Sequence, residues 1–111
     1  MHGLPPIEGL VRRAASAADL MRLLANERRL QILCVLRGGE RSVGDLAAAI
    51  GLSPSALSQH LARLRAERLV APRRVARTIF YRIADPDVLQ LLETLAEVMA
   101  RRSGAEAQPW R

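Results

Sequence analysis

The sequence predicts a mainly α-helical domain that carries one small β-hairpin. Three observations lead there. Half of the residues are hydrophobic but only 3% are aromatic, so Leu, Ile, Val and Ala must build the core, a mix suited to helix-on-helix packing. Apolar residues recur at helical spacing in successive segments bounded by Ser, Asn, Asp and Gly. One late stretch, Thr78 to Ile83, alternates as a strand does instead. With 111 residues there is room for one compact domain, read as residues 7–102, between loose ends at 1–6 and 103–111.

A helical region runs from Ile7 to about Ala25, with Leu20, Leu23 and Leu24 on one stripe. Ser16 and Asp19 have capping-box spacing and predict a break inside it. Asn26 caps a helix over Glu27–Arg37. Its centre, Ile32-Leu33-Cys34-Val35-Leu36, is apolar on nearly all sides and is expected in the core. Gly38-Gly39 ends it. Ser42 opens the next helix with Asp45 as capping partner, and Val43, Leu46, Ala47 and Ile50 make its buried face. Gly51 turns the chain. Ser53 then caps a helix that has Pro54 first, where no N–H is needed, with Leu57, Leu61 and Leu64 inward. Two short helices joined by a glycine turn, Ser42 to Arg65, read as a helix-turn-helix.

The outward face of that second helix carries Ser55, Ser58, Gln59 and Arg63. A solvated helix face ordinarily mixes both charges for i,i+4 pairing. Here no acidic residue occurs between Asp45 and Glu67. Short donors and acceptors without carboxylates suit a helix lying in the major groove of DNA. The formal net charge of +6 points the same way, and every one of the 17 basic residues is Arg, whose fork matches phosphates and guanine edges. A GC-rich genome also enriches Arg, so placement matters more than the total.

Leu69-Val70-Ala71 and Thr78–Ile83 frame Pro72-Arg73-Arg74-Val75-Ala76-Arg77. The strand alternation sets Ile79, Tyr81 and Ile83 against Thr78, Phe80 and Arg82. The expected hairpin has Arg73, Arg74 and Arg77 at its tip, although its turn lacks Gly and Asn. Three cations there repel one another unless a polyanion is near. A hairpin beside a helix-turn-helix is a wing, so the fold class is a winged helix-turn-helix. The last helix starts at Asp85-Pro86 and bears Val88, Leu91, Leu92, Leu95, Val98 and Met99. That stripe exceeds what the small core can cover, and a homodimer pairing the first and last helices would bury it.

Several of these segments resemble the ArsR/SmtB family of winged-helix repressors. Leu24 to Leu33 resembles its second-helix signature, Ser42 to Ala47 its first helix-turn-helix segment, Leu52 to Leu61 its recognition helix, and Thr78 to Ile83 its second wing strand. The resemblance spans Ala18 to Met99 and implies a homodimeric repressor released from its operator by a chemical signal, and two-fold symmetry predicts an inverted-repeat operator. Ser53 to Arg63 is then expected in the major groove, with Ser55, Ser58, Gln59 and His60 at base edges or nearby phosphates. Arg63, Arg73, Arg74 and Arg77 hold the backbone. Metal-sensing members carry a cysteine where this chain has Ser42, or zinc ligands at positions matching Asp85, Asp87, Val98 and Arg101. The resemblance therefore implies no metal and no cofactor. Ile32 to Leu36 with Ser55 to Leu61 is most similar to the sulfide- and redox-responsive biofilm- and hemolysin-regulator type. The second cysteine of that type falls near Ala100 and is absent.

Cys34 keeps two readings: a reactive thiol oxidised or persulfidated as the signal, or a small buried hydrophobe. A single cysteine excludes an intrachain disulfide. His2 and His60 lie far apart, and there is no glycine-rich phosphate loop or convincing acid/base pair, so an enzyme is not expected. The competing functions are a winged helix used for protein contacts and a DNA-binding repressor without a small-molecule switch. No apolar run is long enough to span a bilayer and no secretory signal is evident, so the expected location is the cytoplasm. Trp110, in the tail, is assigned no function.

Overall fold

The computed structural model describes residues 6–103. In chain order they form α1 (Ile7–Arg12), α2 (Ala14–Leu24), α3 (Glu27–Arg37), β1 (Arg41–Ser42), α4 (Val43–Ile50), α5 (Pro54–Ala66), β2 (Val70–Val75), β3 (Thr78–Ile83) and α6 (Pro86–Ser103). This is the expected winged helix-turn-helix, with a three-stranded sheet of order β1-β3-β2. The two ends read as loose, and with them His2 and Trp110, lie outside the described residues apart from Pro6 and Ser103.

Helix starts follow the caps. The Asn26 side chain accepts from the Arg29 N–H, Ser42 from Asp45 and Ser53 from Ala56. Asp85 Oδ1 accepts from the Asp87 N–H at 2.8 Å and opens α6. The capping box read at Ser16 and Asp19 does not form a break. The chain breaks at Arg13 instead, and Asp19 pairs with Arg22 at 2.7 Å inside α2. An i,i+3 ion pair is compatible with continuous helix, so the acidic residue found a partner without ending it. Arg29 fastens α2 to α3, donating from Nε to the Leu23 carbonyl at 2.7 Å.

The core gathers faces from α2 to α6 and from β2 and β3, while α1 and β1 bury none: Leu23, Ile32, Leu33, Leu36, Leu46, Leu57, Leu61, Leu64, Val70, Tyr81, Val88 and Leu92 are all buried. Gly51 joins α4 to α5 with φ +78°, a conformation that suits glycine, and Leu52 N–H then donates back to the Ala47 carbonyl. α5 ends with Arg68 at φ +63° and Leu69 N–H donating to the Leu64 carbonyl, which turns the chain into β2.

The wing differs from expectation in extent. β2 continues through Pro72 to Val75, leaving only Ala76 and Arg77 as the turn. Pro72 is tolerated because β2 is an edge strand, where a missing N–H breaks no ladder. Hence Arg73 and Arg74 sit on the strand, and Arg77 alone occupies the turn. The short β1, which is not among the expected elements, pairs Arg41 with Tyr81 and Ser42 with Phe80. Two residues are too few to show a period.

Candidate nucleic-acid interface

Successive residues of an α-helix are rotated by about 100°. Applied to α5, this places Ser55, Ser58, Gln59, Ala62 and Ala66 on one stripe, opposite the buried Leu57, Leu61 and Leu64. All five stripe residues are exposed. Nothing on the stripe is longer than Gln59, and nothing on it is acidic. Its two alanines let a partner surface approach the helix backbone closely. Arg63 and Arg65 flank the stripe on opposite sides.

Each flank has its own surroundings. Arg65 faces the wing across a groove of about 850 Å³ lined also by Ser58, Ala62, Arg77, Thr78 and Tyr81. Helix and hairpin thus share one concave surface with a guanidinium on each wall. Arg65 is not among the residues expected at the interface, although its spacing from Ser58 and Ala62 sets it beside them on the helix. Arg63 lines a second cleft with Asp19, Arg22, Glu67 and Asp85. Burial, and then the positive charge of Arg63, lower the pKa of Arg29.

Ser53 is exposed, but its hydroxyl is engaged as the helix cap, accepting from the Ala56 N–H at 3.1 Å. His60 is half-buried, on the shoulder between the exposed stripe and the core. On the wing, Arg74 and Arg77 are exposed and, among the described residues, form no ion pair. Arg73 does. It meets both carboxylate oxygens of Glu40, at 3.0 and 2.6 Å, and its guanidinium lies 5.3 Å from the Phe80 ring centroid. Of the nine residues proposed for the interface, the structure gathers Ser55, Ser58 and Gln59 on one face with Arg77 across the groove. It leaves His60 at the edge and Arg73 already paired.

Cys34 departs from the reading of a buried hydrophobe: it is exposed. α3 buries Ile32, Leu33 and Leu36, so its apolar centre is one-sided and the thiol falls on the outer face. It borders a shallow pocket with Leu30, Gln31, Val35, Ala49 and Ile50. The neighbouring arginines are occupied elsewhere: Arg28 with Gln31 and the Ile50 carbonyl, Arg29 with the Leu23 carbonyl, Arg37 with Glu93.

The sequence profile described as bacterial regulatory protein, arsR family, matches residues 26–71, from the cap of α3 into β2. The transcriptional activator HlyU of Vibrio cholerae is 46% identical over 89 residues, covering 80% of this chain and 82% of that protein. This chain belongs to the ArsR family. The family consists of transcriptional regulators, not enzymes. The transcriptional repressor BigR from Xylella fastidiosa superposes with a TM-score of 0.80 at 36% identity, over 85% of this chain and 96% of that one. A homodimeric winged helix-turn-helix DNA-binding domain from Mycobacterium bovis, a possible family member, superposes at 0.69 with 35% identity, over 98% and 97% of the two chains. Among the described residues no group of three His, Cys, Asp or Glu could hold a metal ion, and no helix is long and apolar enough to cross a membrane.

Proposed function

We propose that this ArsR-family regulator is a homodimeric repressor that binds double-stranded DNA at an inverted-repeat operator. The observation that carries the reading is the carboxylate-free stripe of α5, facing a groove walled by Arg65 and Arg77. α5 enters the major groove, with Ser55, Ser58 and Gln59 at base edges. Arg63, Arg65, Arg74 and Arg77 hold phosphates on either side. Ser53 and His60 flank the contact, with Ser53 next to a phosphate and His60 at the groove edge. The family profile and the DNA-binding domain from Mycobacterium bovis support DNA as the partner. A winged helix used for protein contacts would need apolar groups on this stripe, and it has none beyond Ala62 and Ala66.

The dimer forms through α1, α2 and α6. Their exposed Ile7, Leu10, Val11, Met21, Leu91, Leu95 and Met99 are the larger apolar side chains in need of a partner surface. Two-fold symmetry then sets two half-sites about one helical turn apart. Relatives include a named activator and a named repressor, and blocking of transcription is the reading proposed. The test titrates a labelled duplex from upstream of the chain's own gene. Tight binding that resists random competitor DNA, with two protected major grooves, is expected. Equal affinity for random duplex would overturn sequence-specific regulation.

The exposure of Cys34 favours a second reading, release by a sulfur or redox signal. With one cysteine in the chain, the modified form is a persulfide, a mixed disulfide with a small thiol, or a Cys34 pair between chains. Polysulfide treatment should release the operator from the wild type and leave Cys34→Ser bound. Equal binding by treated and reduced protein would leave a regulator without this switch.

A further inference from the structure

We propose that Glu40 and Arg73 form a brace setting the angle of the wing against the helix-turn-helix, and that Arg73 is a positioning residue, not a phosphate contact. The inference rests on the DNA-binding reading and assigns one of its arginines a different task.

The geometry is that of a fork closed on a carboxylate. Arg73 Nε donates to one Glu40 oxygen at 3.0 Å and Nη2 to the other at 2.6 Å. Its guanidinium also lies over the Phe80 ring. Strand register shows what this spans. Phe80 on β3 is opposite Arg73 on one side and opposite Ser42 on the other. Glu40 lies just before β1, and Ser42 both belongs to β1 and caps α4. The contact therefore reaches from the outer wing strand, past the central one, to the segment that begins the helix-turn-helix. No other described ion pair joins the wing to the rest of the domain.

Charge separates Arg73 from its neighbours. A phosphate approaching it meets the Glu40 carboxylate as well, so the pair offers little net attraction. Arg74 and Arg77 offer whole charges. Exposed ion pairs contribute little to folding stability, and the two side chains are 57% and 27% exposed. What a bidentate, stacked arginine does supply is direction.

The experiment measures operator and random-duplex affinity across a salt series for wild type, Glu40→Gln, Arg73→Gln and the double variant, with thermal melts to confirm folding. Simple electrostatics predicts that removing an anion near DNA tightens binding. The brace predicts that Glu40→Gln weakens operator binding about threefold to tenfold. Arg73→Gln should match it, the double variant should be no worse than either, and the salt slope should stay unchanged. Tighter binding by Glu40→Gln overturns the brace, as does a salt slope flattened by about one unit per lost phosphate contact in Arg73→Gln. Unchanged affinity in all variants also overturns it. These outcomes leave the DNA-binding reading standing, whereas a wild type without operator preference removes that reading and the brace together.

Discussion

Gln59 on the exposed stripe of α5 and Arg77 in the wing turn act on DNA differently in the proposed complex. An amide can read a base through paired hydrogen bonds, whereas a guanidinium in a hairpin turn meets the sequence-independent backbone. Gln59→Ala should therefore lower operator affinity by about 1–3 kcal/mol while leaving random-duplex binding nearly unchanged. Arg77→Ala should weaken both and flatten the salt dependence. Equal losses on both duplexes for Gln59→Ala would remove it from the base-reading set. At this scale the exposed stripe was legible, because absence of carboxylates is a property of the sequence itself. Pairing was not. Arg73 and Arg74 are adjacent and chemically identical, and only the fold reveals that Glu40, far back in the chain, meets one of them. The exposure of Cys34 was hidden for a related reason. An apolar run does not say which of its sides the rest of the protein covers.

The wing turn shows what can be learned from an element. β2 and β3 are joined by Ala76 and Arg77, and Ala76 has φ +55°. A side chain there is strained, which glycine would relieve at the expense of a freer unfolded chain. Ala76→Gly should raise stability by about 0.5–1 kcal/mol, seen as a melting temperature a few degrees higher. DNA affinity should hold, since Arg77 and Arg74 remain. A lower melting temperature would mean that the turn adopts another conformation. Elements with side-chain caps were legible to the residue: Asn26, Ser42, Ser53 and Asp85 all stand where helices begin. The hairpin was legible as a hairpin but not in extent. Its turn lacks the usual glycine, and Pro72 resembles a strand end until its edge position is known. β1 left no trace in the pattern, because its pairing depends on where β3 arrives.

The whole molecule is incomplete by itself. α6 is 18 residues long, yet only Val88 and Leu92 are buried. Leu91, Leu95 and Met99 remain 36%, 40% and 52% exposed. Leu91 and Leu95 also line, with Met21, Leu24, Leu30 and Val98, a cleft that is almost wholly apolar. The buried Val88 and Leu92 seat α6 on the core, with Arg37 and Glu93 paired beside them at 3.1 Å, which leaves this surface outward. A charge at its centre should therefore oppose association more than folding. Leu95→Glu is expected to sediment as a monomer where the wild type is a dimer, with its melting transition retained. Gln90 lies well round the helix from Leu95, so Gln90→Glu, of equal charge, should stay dimeric. Each monomer would keep its recognition helix but lose the second half-site held in register. Operator affinity should then fall about 100-fold or more, while binding to an isolated half-site changes little. A dimeric Leu95→Glu protein would place the two-fold contact elsewhere, with α1 and its exposed Ile7, Leu10 and Val11 the next surface to charge.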